Sequence, residues 1–105
     1  MWFVFPQIEG LGYSPMAQRY ALDSLDEARA YLADPVLGVR LADCVGLLLS
    51  VEGKTAREVM GAPDDIKLRS SMTLFARAAG DPAPFRAVLD KWYGGQEDPR
   101  TLARI

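Results

Sequence analysis

Beyond residue 13, apolar side chains recur every three or four positions between short clusters of Ser, Thr, Asp, Pro and Gly, the rhythm of helices separated by caps. Ser14-Pro15 reads as an N-cap followed by proline at the first helical position, where its missing N–H costs nothing, and opens a short helix over 15–20. Ser24-Leu25-Asp26-Glu27 has the spacing of a capping box and starts a helix ending near residue 34, with Leu25, Ala28, Tyr31 and Leu32 on one face. Asp34-Pro35 repeats the cap-plus-proline device and begins a longer helix to residue 51. Its apolar residues, Val36, Leu37, Val39, Leu41, Val45, Leu47, Leu48 and Leu49, nearly encircle it, which predicts the central, most buried helix. Gly38 and Gly46 each cost roughly 1 kcal/mol of helix propensity, so close packing against a neighbour is expected at both.

The pattern continues through the second half. Thr55-Ala56-Arg57-Glu58 is a further capping box, and Gly61 ends its short helix. Ala62-Pro63-Asp64-Asp65 opens a long helix to residue 79, stopped by Gly80-Asp81-Pro82. A helix over 83–93 ends at Gly94-Gly95, and Asp98-Pro99 caps a last turn or two up to residue 105. No stretch alternates with period two, and only 2–5 has strand-like composition. The fold expected is all-α: residues 1–105 as one helical domain, a compact bundle of about five to seven helices with an extended aromatic N-terminal segment.

That segment, Met1-Trp2-Phe3-Val4-Phe5-Pro6-Gln7, places four large apolar side chains where chain ends are ordinarily polar and frayed. It has no basic residue ahead of its apolar run, which Pro6 ends too early for a signal peptide or a membrane span. A cytoplasmic protein follows, with no membrane association. The aromatics are expected to pack against the helices beginning at Pro35 and Pro63, and their exposed remainder to serve as an oligomer contact.

At 105 residues the chain can bury a core without metal or disulfide support. Hydrophobic residues make up 50% and charged residues 25%, which excludes a disordered chain. The net charge of −2 and a pI near 5.0 give no basic footprint for nucleic acid. Cys44, the one cysteine, forms no internal disulfide and reads as a small buried hydrophobe of a reducing compartment. The chain has no histidine, which excludes Ser-His-Asp and Cys-His catalysis and the usual His-containing zinc sites. No metal and no cofactor is expected.

Longer strings carry a resemblance. Trp2-Phe3-Val4-Phe5-Pro6-Gln7-Ile8, Gly10-Leu11-Gly12, Ser14-Pro15, Tyr20-Ala21 and Ser24-Leu25-Asp26-Glu27-Ala28 are followed by Pro63-Asp64-Asp65 and Lys67-Leu68-Arg69-Ser70-Ser71-Met72-Thr73-Leu74-Phe75. The set closes on Tyr93-Gly94-Gly95 and Asp98-Pro99-Arg100-Thr101-Leu102. Together they resemble the bacterial domain-of-unknown-function family 1810, over the whole chain. The resemblance implies an all-helical fold and no established activity. It also implies a further helical segment ahead of Trp2, so this sequence is expected to be short at its N-terminus. Members of the family often carry the automatic name calpastatin, but a calpain inhibitor of that kind is a disordered polar chain, unlike this composition.

The helix starting at Pro63 carries the candidate chemistry. Leu68, Met72, Phe75 and Ala79 share a face, and Asp64, Lys67 and Ser71 project into the same arc, while Arg69, Thr73 and Arg77 point the opposite way, to solvent. Asp64 in the first turn complements the helix dipole and can pair with Lys67, and Ser71 can bond back to the Lys67 carbonyl. The catalytic alternative makes Lys67 and Ser71, one turn apart, a Ser–Lys pair or an anion site with Asp64 beside it. Gln7, Trp2 and Tyr93 are the candidate ligand-binding residues, an amide and two aromatic rings. Gly10-Leu11-Gly12 and Gly94-Gly95 lack the context of a phosphate loop and read as turn and C-cap glycines. Two functions remain. The first is a non-enzymatic binding or protein-interaction module, meeting a protein or small-molecule partner near the aromatic segment. The second is a small enzyme or anion- or metabolite-binding protein using Lys67 and Ser71.

Overall fold

The structure is a computed structural model, and it describes residues 5–11, 18 and 21–105. Among these residues there are six helices and no sheet: α1 (Leu25–Ala33), α2 (Leu37–Ser50), α3 (Ala56–Met60), α4 (Asp64–Ala78), α5 (Ala83–Tyr93) and α6 (Pro99–Leu102). The all-α single domain expected from the pattern is what the chain forms. Trp2, Phe3 and most of the short helix expected over 15–20 lie outside the described residues.

Local chemistry sets the boundaries. Thr55 accepts from the Glu58 N–H while the Glu58 carboxylate accepts from the Thr55 N–H, a complete capping box. At α1 the box is half made. Ser24 Oγ accepts from the Glu27 N–H, but the Glu27 carboxylate turns to the Asp23 N–H. Asp34 Oδ1 accepts from the N–H groups of Val36 and Leu37 ahead of α2. Gly94, in the left-handed conformation at φ 63°, ends α5 as only a residue without a Cβ does easily. The Lys91 ammonium on α5 donates to the carbonyls of Leu48, Leu49 and Val51, so one helix caps the end of another.

The central helix is α4, not α2. From Ser70 to Ala76 every residue of α4 is buried, and it packs against α1, α3, α5 and α6. Phe75 anchors two of these contacts, with its ring 5.4 Å from Tyr31 of α1 and 5.8 Å from Phe85 of α5. The helix α2 packs on α1 and α5, burying Gly38, Leu41, Val45 and Leu48 and leaving Val36, Val39 and Leu47 exposed. Apolar residues all around a helix state how much could be buried; neighbours decide how much is. The inner position of α4 is masked by its Ser and Thr residues; of these, Thr73 bonds back to the Arg69 carbonyl and Ser70 reaches the distant Asp98.

Gly38 and Gly46 separate in the same way. A Cβ on Gly38 would lie 2.1 Å from the Leu32 carbonyl oxygen, so α1 and α2 touch backbone to backbone there. A Cβ on Gly46 would meet nothing within 4 Å, so the close contact expected at that position is not made.

Phe5, Ile8 and Leu11 join the core cluster, and the backbones of 7–9 and Leu22 pair as an isolated parallel bridge. Phe5 is therefore packed; Trp2 and Phe3, its expected companions, are not described. Among the described residues no helix is long and apolar enough to cross a membrane.

Candidate functional site

The polar residues singled out on α4 sit in different surroundings. Asp64 and Lys67 are half-buried, and the ion pairs among the described residues are Arg29–Asp26, Arg77–Glu97 and Arg86–Glu97, with none between Asp64 and Lys67. Ser71 is fully buried, and its Oγ has no hydrogen-bond partner; the bond back to the Lys67 carbonyl is not formed. Gln7 is half-buried, and its backbone carbonyl accepts from the Leu22 N–H at 2.9 Å. Tyr93 donates its hydroxyl to the Asp65 carbonyl at 2.5 Å, tying the end of α5 to the start of α4. Burial pushes the Tyr93 phenol well above its ordinary range, with the Asp65 charge adding to the effect and Arg69 opposing it. Trp2, the last candidate, lies outside the described residues.

Arg69 and Thr73 overturn a different expectation, because the face they occupy is covered, while Arg77 at its edge is exposed as expected. That face receives the segment leading into α6. Arg69 donates to the carbonyls of Gln96 and Glu97 at 3.1 and 2.9 Å. Thr73, with no exposed surface, donates to the Arg69 carbonyl and accepts from the Asp98 N–H at 2.8 Å. Arg77 is exposed but grips the Glu97 carboxylate, which also meets Arg86. Hydrogen bonding to Arg77 holds the Glu97 carboxyl below the usual range against the effect of burial, with Arg86 assisting.

Asp98 is the centre of this closure. Its Oδ2 accepts from Ser70 Oγ at 2.9 Å, Thr101 Oγ1 at 2.6 Å and the Thr101 N–H at 3.1 Å. Burial alone would raise the carboxyl, but the bonds from Thr101, Ser70 and the backbone N–H groups outweigh it and hold the group low. The cap at Asp98 is readable in the sequence, while its buried partners on α4, 25 and 28 residues away, carry no local signal.

Concave regions lined by described residues lie elsewhere. One of about 610 Å³ runs between Arg29 and Arg77. A more apolar one of about 480 Å³ is lined by Leu32, Val45, Leu49 and Phe85. A third, of about 510 Å³, has Glu9, Asp23 and Arg104 at its edge. Lys67, Ser71, Gln7 and Tyr93 line none of these. Among the described residues no three His, Cys, Asp or Glu side chains gather as a metal site.

The molecule is thus an all-helical domain whose well-formed polar network ties its C-terminal segment to the core, with no assembled set of reactive groups among the described residues. Over residues 1–105 it matches the family described as "Protein of unknown function (DUF1810)", and it belongs to that family. It is similar to a conserved hypothetical protein from Mycobacterium tuberculosis of known crystal structure, at 57% sequence identity and a TM-score of 0.95. The match covers 97% of this chain and 73% of that one. A search of curated proteins found no match.

Proposed function

We propose that this is a non-enzymatic interaction domain. The observation that carries the reading is the outer face of α2, where Val36, Val39 and Leu47 stand in solvent at 66%, 57% and 67% exposure. Large exposed apolar side chains gathered on one helix mark an interaction surface more often than scattered ones do. A hydrophobic dye tests the reading. The chain binds it, and the pair Val39→Ser and Leu47→Ser removes most of that binding without lowering the thermal midpoint. Absent dye binding, or binding that both substitutions leave unchanged, refutes it. The N-terminal aromatics, Trp2 among them, remain the second contact region of this proposal.

The alternative, a small enzyme or anion-binding protein built on Lys67 and Ser71, draws on one observation. Ser71 Oγ is buried without a partner, which is unusual for a native hydroxyl. A nucleophile with no exposed surface, however, meets a substrate only if its surroundings open. Selective labelling of Lys67 by an amine reagent supports this alternative, and uniform labelling of the lysines ends it.

A further inference from the structure

The bare face of α2 has an order that selects its partner. Val36, Arg40, Asp43 and Leu47 fall within about 60° of arc at 100° per residue, and all four are exposed. Val36 precedes α2 but belongs to the same spiral, since its carbonyl accepts from the Arg40 N–H at 3.0 Å. The spacing alternates four and three residues, as in the seam of a coiled coil. The seam is apolar at each end and carries a cation and an acid between. An apolar groove or a lipid surface would strand those two charges.

A two-fold axis passing between residues 41 and 42 brings the seam onto itself. Val36 then faces the partner's Leu47, and Arg40 faces the partner's Asp43. Val39 and Cys44 lie on opposite shoulders of the seam, outside these contacts. Each of these contacts is made twice, as an isologous interface requires. Each of the four seam residues finds a matching group, and no like charges meet.

We propose that α2 pairs antiparallel with α2 of a second copy of this chain. The proposal rests on the interaction-domain reading and names its partner. A helix of 14 residues is about 21 Å long. One such face per subunit falls short of the about 1,600 Å² of a standard interface. The dimer is therefore weak and concentration-dependent, with the charge pair setting register and specificity more than affinity.

Sedimentation equilibrium of the full chain, from micromolar concentrations up to about 1 mM, tests the pairing. Arg40→Asp and Asp43→Arg are made separately. Each puts like charges opposite each other twice, so each weakens its own dimer about tenfold or more. Mixed in equal amounts, the two variants recover association, because every acid then faces an arginine. Circular dichroism that is unchanged in both variants shows that the losses are not unfolding. A dimer indifferent to both reversals overturns this seam. A monomer at every concentration that still binds dye at α2 overturns self-pairing and leaves the interaction-domain reading intact. A monomer without dye binding overturns both.

Discussion

Replacing Asp98 by alanine removes the one acceptor that Ser70 Oγ, Thr101 Oγ1 and the Thr101 N–H share. Ser70 keeps a long contact to the Ile66 carbonyl at 3.4 Å, so its loss is partly offset. Both Thr101 donors are left in a buried site without an acceptor, at about 1 kcal/mol each at the low end. The Thr101 N–H bond is itself the N-cap of α6, so the lost cap is already contained in that figure. The expected destabilisation is about 2 kcal/mol, a large share of the roughly 5–15 kcal/mol that holds a domain together. The thermal midpoint should fall by about 8 °C or more. Urea unfolding measures the loss, and hydrogen exchange at the Thr101 amide shows where it occurs. Acid adds a second signature. The Asp98 carboxyl titrates lower in the folded chain than in the unfolded one, where it lies near 3.9. Its stabilisation is thus complete above that unfolded value and fades as pH falls through the folded one. Asp98→Asn should lose stability at neutral pH and lack this part of the acid dependence. A loss below about 1 kcal/mol for Asp98→Ala, or an acid limb unchanged in Asp98→Asn, would refute the assignment of Asp98 as the hub.

Ser71→Ala should be neutral or stabilising, by up to about 1 kcal/mol in denaturant unfolding, because a buried unpartnered hydroxyl costs free energy that alanine does not. A loss above about 1 kcal/mol would mean that the hydroxyl has a partner in solution. Gly46→Ala should raise the midpoint by the equivalent of about 0.5–1 kcal/mol through helix propensity. Gly38→Ala should destabilise more strongly, since the Leu32 carbonyl oxygen must move; equal effects at the two glycines would contradict the packing described. Lys91→Met keeps the aliphatic stem but removes the ammonium that caps α2, and should cost about 1 kcal/mol. Exchange at the last amides of α2 reports that loss, and unchanged exchange there argues against the cap.

The parts of the fold written locally are legible in the sequence. Thr55 and Glu58 lie three residues apart, so their capping box is visible without any knowledge of the rest of the chain. The same holds for Asp98 before Pro99 and for the glycines after Tyr93. Packing partners are not local. The apolar circumference of α2 reads as central, yet α1 and α5 cover only one side of it, and the Ser- and Thr-bearing α4 takes the middle. Arg69 and Thr73 read as part of a solvated face because the residues that cover them, Gln96 to Thr101, lie some twenty or more positions further on. Of the candidate site, the burial of Ser71 is legible from helical phase; that its hydroxyl finds no partner is not. Tyr93 is legible as an aromatic near a helix end, but its tie to the Asp65 carbonyl depends on how α5 crosses α4.

The dependence of Ser70, Thr73 and Arg69 on residues 96–101 has a consequence during synthesis. The central helix leaves the ribosome well before the segment that completes its hydrogen bonds. Until Asp98 and Thr101 dock, one side of α4 holds hydroxyls and a guanidinium without their partners. A chain with α4 formed and 96–101 undocked keeps one polar seam of its core open, the kind of partly folded species that is prone to aggregation. Residues 96–101 act as the closing clasp, and the domain becomes a finished structure only when they dock.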